Sequence, residues 1–137
     1  MNPADTIVAV SSAIGAAARM IVRMSGPGSL QLACNLSRLP PEELVAGAQT
    51  RARLHFAGLS VPAWLYAFRS PRSYTGDDVV EFHLPGDALL ARLLLDHLTH
   101  AGARPAEPGE FTARAFFNGR LDLAEAEGVA ATIAAGN

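Results

Sequence analysis

The sequence contains no lysine, and all 11 of its basic residues are arginine. A P-loop needs a lysine that reaches the phosphates, and Schiff-base chemistry needs a lysine amine, so both are excluded for these residues. The single cysteine, Cys34, cannot form an internal disulfide, and its apolar segment favours a buried packing role. No apolar run reaches membrane-spanning length and no secretory signal begins the chain. We therefore expect a cytoplasmic protein that makes no membrane contact.

Charge is also scarce. Charged residues make up 18% of the 137 residues and hydrophobic residues 50%, which predicts a globular chain long enough for one compact domain with a core. The formal net charge is −2. A domain that holds a nucleic-acid backbone on its own surface normally carries a basic patch, so the balance of charge argues against direct binding of that kind.

The densest local signals lie between Pro108 and Glu127. The segment from Glu110 to Phe117 predicts a short helix, because a carboxylate in the first turn suits the positive end of the helix dipole. Three residues of this helix share one face and predict a large apolar wedge: Phe111, Ala115 and Phe116. Asn118-Gly119 predicts the end of the helix in a left-handed residue.

A second helix is predicted from Asp122 to Ala135. Asp122 is a suitable N-cap, and Glu125 completes a pair of the capping-box type. This helix consists mostly of small residues and has little to bury itself against, so we expect a truncated chain or a helix that docks on a partner. Most capped helix pairs are purely structural, and the pair alone identifies no function.

The rest of the chain interleaves strands and helices. Apolar, β-branched or alternating runs predict strands at 6–10, 20–24, 51–56, 61–68 and 78–84, and a short one within 103–106. Helices are predicted from a cap at Ser29 to Leu36, and over 88–101 with a core stripe of Leu89, Leu90, Leu93, Leu94 and Leu98. The runs at 51–56 and 61–68 are predicted to form a hairpin. This order predicts an α+β fold, a mixed β-sheet backed by helices.

Charges at unusual positions are the candidate site residues. Arg23 lies inside an apolar strand, which is costly unless the guanidinium is paired, lines a cleft or reaches water. Glu81, in mid-strand, either faces water or points to a ligand at the sheet surface. Arg120 lies at the bend between the two final helices. His97 and His100 are expected on the surface, since their spacing alone makes no metal site.

Two stretches, 72–81 and 108–123, closely resemble the N-terminal region of the MnmE/TrmE family of tRNA-modification GTPases. Residues 5–9 and the turn at 23–26 are also similar, so the resemblance covers nearly the whole chain in one register. It implies a fold similar to folate-binding domains of the aminomethyltransferase type over residues 1–118. Residues 119–137 would begin a following helical domain.

The resemblance also implies a function. The domain would bind a one-carbon tetrahydrofolate, usually the 5-formyl form, and would form a homodimer without catalysis of its own. The GTPase domain, which would hold GTP, Mg²⁺ and K⁺, lies outside the matched region. With a flavoprotein partner, the family modifies the wobble uridine of certain tRNAs, and tRNA would be contacted only through the full complex.

The family's ligand contacts carry over to Arg23, Glu81 and Arg120. A carboxylate can accept the adjacent N–H and amino group of a pterin, and arginines suit the anionic tail and the formyl oxygen. The chain departs from the family where Arg120 replaces a lysine, where 12–18 replaces a glycine-rich loop, and where 85–87 replaces His-Gly-Gly. Two alternatives stay open: a divergent scaffold that only dimerises, and an independent one-carbon transfer enzyme, which the lack of a suitable acid–base pair disfavours.

Overall fold

One mixed sheet forms the centre of the molecule. The computed structural model describes residues 2–11 and 19–136, with side chains through 131. Within these residues the strand order is β3-β4-β5-β2-β1-β6. The pairing of β1 with β6 is parallel and the other pairings are antiparallel. The strands are β1 Ile7–Val10, β2 Arg19–Ser25, β3 Gln49–Phe56, β4 Leu59–Phe68, β5 Val79–Pro85 and β6 Arg104–Pro105.

Four helices complete the described fold. They are α1 Ser29–Ser37, α2 Ala88–His100, α3 Glu110–Phe117 and α4 Leu123–Gly136, with a single 3₁₀ turn at Pro41–Glu43. A mixed sheet with helices confirms the predicted α+β class. The predicted hairpin is also confirmed, because β3 and β4 pair through the short Ala57-Gly58 link. No helix among the described residues combines the length and the apolar character needed to cross a bilayer.

The two faces of the sheet differ in burial. Alternate residues of the four central strands point into the core, where Val22, Leu65 and Phe82 are fully buried. Helices α1 and α2 contribute Ala33 and Leu94 to the same cluster. Because side chains alternate along a strand, the residues between them lie on the opposite face, which is only half-buried. This second face, called the open face below, carries the candidate site.

Two predictions for α1 and α2 are wrong in detail. Ser29 is the first helical residue, with Gly28 at the N-cap, and its buried hydroxyl has no hydrogen-bond partner among the described residues. Leu89 belongs to the predicted core stripe but is 59% exposed, and Ala91 is buried instead. The apolar stripe of a helix is limited in width, so five leucines cannot all face the sheet. Cys34 is buried as predicted, and burial raises the pKa of its thiol.

Helix α3 has the predicted bounds but a different buried face. Glu110, Thr112 and Arg114 are buried, whereas in the predicted apolar wedge only Ala115 is buried and Phe111 and Phe116 are half-buried. A buried carboxylate is tolerated where cations and N–H groups satisfy it, and Glu110 has such partners. The end of the helix follows the prediction. Gly119 has φ +74, and the amide of Arg120 donates to the carbonyl of Ala115 at 2.7 Å.

Candidate functional site

Arg23 and Glu81 lie directly opposite each other on the open face, in neighbouring strands β2 and β5. The Nε atom of Arg23 donates to Oε2 of Glu81 at 2.9 Å, and its Nη2 lies 2.7 Å from the same oxygen. The side chains are 29% and 18% exposed. The arginine within an apolar strand is therefore paired, and the pair reaches the surface of the sheet.

The other oxygen of Glu81 contacts His83, the next residue on the same face of β5. Its Oε1 lies 3.2 Å from Nε2 of His83. The His83 ring packs 4.7 Å from the ring of Tyr66 in β4, measured between centroids. A carboxylate oxygen can accept two hydrogen bonds, so Oε1 keeps capacity for another donor. Sequence analysis did not single out His83, although the two-residue period of the strand places it beside Glu81.

Two aromatic rings border the Arg23 guanidinium. Its central carbon lies 6.0 Å from the centroid of Tyr74 and 5.9 Å from that of Phe111. Tyr74 belongs to the loop between β4 and β5, and Phe111 to the first turn of α3. The Tyr74 hydroxyl and the Thr112 hydroxyl are 3.0 Å apart, which joins loop and helix. The site thus combines the Arg23–Glu81 ion pair with aromatic surface from two further elements. No spacing in the sequence revealed these contacts.

The loop that carries Tyr74 is fixed on two sides. The hydroxyls of Thr75 and Ser25 lie 2.8 Å apart in the interior. Asn118, at the end of α3, donates from Nδ2 to the carbonyl of Thr75 at 2.7 Å. Gly76 follows with φ +86, and a Cβ atom there would lie 2.8 Å from Cβ of Asn118. These contacts hold the loop between β2 and α3, so its position relative to Arg23 is defined.

Arg120 lies beside this same loop. A Cβ atom on Gly76 would be 3.4 Å from Cγ of Arg120. Arg120 is exposed, and its guanidinium makes no hydrogen bond or ion pair with the part of the chain that the structure describes. The structure therefore brings Arg23 and Glu81 into contact and places Arg120 at the neighbouring loop, with no hydrogen bond or ion pair between Arg120 and either of them among the described residues.

A buried ionic cluster holds the start of α3. Glu110 is fully buried and receives Nη1 and Nη2 of Arg104 at 3.0 and 2.7 Å. These bonds lower the pKa of Glu110 to about 2 and raise the pKa of Arg104. Arg114 lies 3.3 Å from Glu110 and also donates to the carbonyl of Asn2 at 3.1 Å. The cluster positions α3, and with it Phe111, against the open face.

The segment that departs from the family pattern after Glu81 has a structural use. Pro85 ends β5 opposite Arg19. Asp87 is the N-cap of α2, and its Oδ1 accepts the amide of Leu90 at 2.9 Å. The departure at residues 12–18 lies outside the described residues. Within those residues, no group of three or more His, Cys, Asp or Glu side chains is arranged to hold a metal ion.

The family model described as the GTP-binding protein TrmE N-terminus matches residues 6–120. A relative described as tRNA modification GTPase MnmE, from Caulobacter vibrioides, is 48% identical over 127 residues, which are 92% of this chain and 28% of the relative. Proteins of the same description from Leptospira interrogans and Thermus thermophilus are 41% and 43% identical, over 96% of this chain and 30% and 31% of their own length. The chain thus spans less than a third of these relatives.

Proposed function

The chain belongs to the TrmE N-terminal family, and we propose that it is the N-terminal domain of a tRNA-modification GTPase, where it binds a one-carbon tetrahydrofolate and forms a homodimer. The proposal includes a fold similar to folate-binding domains of the aminomethyltransferase type. The observation that carries it is the Arg23–Glu81 pair on the open face, bordered by the rings of Tyr74 and Phe111.

The pterin is assigned to Glu81. A pterin presents a ring N–H and an amino group side by side, and a carboxylate can accept both as charge-assisted hydrogen bonds. Oε2 already accepts two donors of Arg23, so Oε1, beside its contact with His83, can accept one of the two pterin donors in this arrangement, and Arg23 and His83 hold the carboxylate in place. The ring of Tyr66 beside His83 offers an aromatic surface for a flat heterocycle. The pair is thus suited to orient a pterin at the surface of the sheet.

The arginines supply the remaining contacts. A guanidinium is a planar cation with five donors and suits carboxylate and formyl oxygens. Arg120 is exposed beside the loop of Tyr74, and Arg23 keeps donors beyond those it gives to Glu81. We assign both residues to the formyl group and to the neighbouring polar part of the folate.

Calorimetric titration with 5-formyltetrahydrofolate tests the ligand. Glu81→Gln keeps the shape of the side chain but removes its charge, and we expect affinity to fall by about tenfold or more, since a charge-assisted hydrogen bond is lost. Arg120→Ala should also weaken binding. Glu43→Gln, on the exposed 3₁₀ turn, is the matched control and should bind like wild type. Equal heats in wild type and Glu81→Gln, or no heat in either, would defeat the folate proposal.

The wider role follows from the relatives, which are described as tRNA modification GTPases. We propose that the whole protein acts in the cytoplasm with a flavoprotein partner on the wobble uridine of tRNA, and that tRNA meets this domain only within that complex. GTP, Mg²⁺ and K⁺ would bind a separate GTPase domain. Sedimentation at several concentrations tests dimerisation, and a monomer at all of them would contradict it.

A second candidate function is a scaffold that dimerises without binding folate. One observation favours it: Glu81 already has partners on both oxygens, Arg23 on one and His83 on the other. In that case the pair serves only to join β2 and β5. Calorimetry separates the two candidates, because the scaffold predicts no folate heat in a protein that still dimerises.

A further inference from the structure

A second feature of the open face is a cavity of about 460 Å³ at the end of β2 and β5 away from α3. Its lining includes Arg19, Arg51, Arg53, Trp64, His83 and Pro85. Three arginines and one tryptophan therefore line the same cavity, on a surface to which neither α1 nor α2 contributes lining residues.

The three arginines carry charge that the described residues do not neutralise. The guanidinium carbons of Arg51 and Arg19 lie 4.7 and 5.5 Å from the centroid of the Trp64 ring. Arg53 donates to the hydroxyl and the carbonyl of Ser60, at 2.7 and 2.8 Å, both neutral acceptors. Within the described ranges, none of the three forms an ion pair with an acidic side chain.

What distinguishes this site is that three arginines with no ion pair among the described residues line one cavity. The chain carries more acidic than basic residues, 13 against 11. The buried and half-buried arginines Arg23, Arg104 and Arg114 do have acidic partners, for example Glu81 for Arg23 and Glu110 for Arg104. Like charges gathered around one hollow repel each other and attract an anion. The cavity therefore has the electrostatics of a site for a ligand with more than one negative charge.

His83 connects this cavity to the candidate folate site, since it lines the cavity and contacts Glu81. The register places His83 opposite Trp64, and Trp64 opposite Arg51. Arg51 lies on β3, two strands away from Glu81 on β5, and is displaced by two residues along the strand direction. With the usual spacings of a sheet, their Cα atoms are about 12 Å apart. The p-aminobenzoyl group of a folate, which joins the pterin to the glutamate, can bridge a gap of this size.

We propose that the cavity binds the glutamate tail of the folate, and that its three arginines select folates with several γ-linked glutamates. This inference rests on the proposed function. The pterin faces Glu81, the p-aminobenzoyl ring crosses the aromatic surface of Tyr66, His83 and Trp64, and the carboxylates reach the arginines. Guanidinium groups bind carboxylates as two-pronged pairs, and each added glutamate supplies another carboxylate.

Calorimetry with two ligands tests the selection. Wild-type protein is titrated with 5-formyltetrahydrofolate bearing one glutamate and with the same compound bearing three. We expect the triglutamate to bind about tenfold more tightly, which corresponds to a small gain from each partly exposed ion pair. In the double variant Arg51→Gln with Arg53→Gln, both folates should bind with similar affinity. Arg92→Gln, an exposed arginine on α2, is the matched control and should keep the preference.

Fluorescence tests the cavity without a pterin. Trp64 is the only tryptophan of the chain, so the intrinsic signal reports on this site. Tri-γ-glutamate peptide should change the emission of wild type and of Arg92→Gln, and should leave the double variant unchanged. Inorganic phosphate at equal charge is the comparison. A response to phosphate as strong as that to the peptide would overturn the carboxylate assignment in favour of a phosphate site.

The outcomes separate the two proposals. If both folates bind wild type equally, the tail site is wrong while folate binding stands. If neither folate binds, the proposed function fails, and the tail assignment with it. A triglutamate preference that the double variant loses, with circular dichroism unchanged, supports the inference. A preference that the double variant retains would overturn it.

Discussion

Arg104 and Glu110 form a two-pronged ion pair, with Nη1 3.0 Å from Oε1 and Nη2 2.7 Å from Oε2. The carboxylate also accepts the backbone amide of Glu107 at 2.9 Å. Because Glu110 is the first residue of α3, this pair fixes where the helix begins. The next residue, Phe111, borders the Arg23 guanidinium, so an ionic contact in the interior determines part of the surface of the candidate site.

Stability should depend on acid pH through Glu110. Its pKa is about 2 in the folded protein and 4.5 in the reference state, so its contribution is complete above pH 4.5 and is lost as pH falls towards 2. The difference corresponds to about 3 kcal/mol. Urea unfolding across this pH range should show the loss in wild type and a weaker dependence in Glu110→Gln. The control Glu43→Gln should follow wild type, and parallel curves for wild type and Glu110→Gln would contradict the prediction.

Replacing Gly76 should destabilise the fold more than replacing Gly58. Both residues have a positive φ, so alanine costs about 1 kcal/mol or more in each case. A Cβ atom at Gly76 would also lie 2.8 Å from Cβ of Asn118, whereas at Gly58 nothing lies within 4 Å. We expect Gly76→Ala to lose about 1–3 kcal/mol more than Gly58→Ala in urea unfolding. Equal losses would show that the loop moves away at little cost.

Arg23 and Glu81 should be only weakly coupled in stability. Both side chains are partly exposed, 29% and 18%, so solvent screens the pair. A double-mutant cycle with Arg23→Leu and Glu81→Leu, measured by urea unfolding, should give a coupling of about 1 kcal/mol. A coupling of several kcal/mol would mean that the pair mainly joins the strands, which favours the scaffold candidate.

The start of α4 should depend on Asp122. Its Oδ1 accepts the amide of Glu125 at 2.7 Å, and Oε1 of Glu125 accepts the amide of Asp122 at 3.1 Å. Removing an N-cap costs about 1 kcal/mol. Asp122→Ala should speed amide hydrogen exchange in the first turn of α4 and leave the sheet unchanged, whereas Asp122→Asn should keep most of the protection. Unaltered exchange in Asp122→Ala would exclude this role for the cap.

Short-range signals in the sequence predicted most elements. The bounds of α3 and the cap of α4 depend on residues within one turn, and a two-residue period identified the hairpin of β3 and β4. Arg23 and Glu81 stood out because a charge inside a strand needs a partner. Sequence analysis could not pair them, since the register between β2 and β5 depends on how the whole sheet assembles.

Contacts between distant segments were not predictable in the same way. Tyr74 and Phe111 meet at Arg23 only because the loop and α3 fold onto the open face. The buried face of α3 was predicted only in part, for a related reason. Its sequence shows an apolar wedge, but the partner that makes burial of Glu110 favourable is Arg104, on β6. A pattern within one helix carries no information about such a partner.

The first residues of the chain are held by some of the last. Arg104 donates to Asp5 at 2.9 Å, and Arg114 donates to the carbonyl of Asn2 across 112 positions of sequence. During synthesis on the ribosome, Asn2 and Asp5 emerge long before their partners Arg114 and Arg104. Strand β1 can likewise pair with β6 only after β6 has emerged. These contacts can form only after the residues up to about 114 have left the exit tunnel, because both partners must be free to meet.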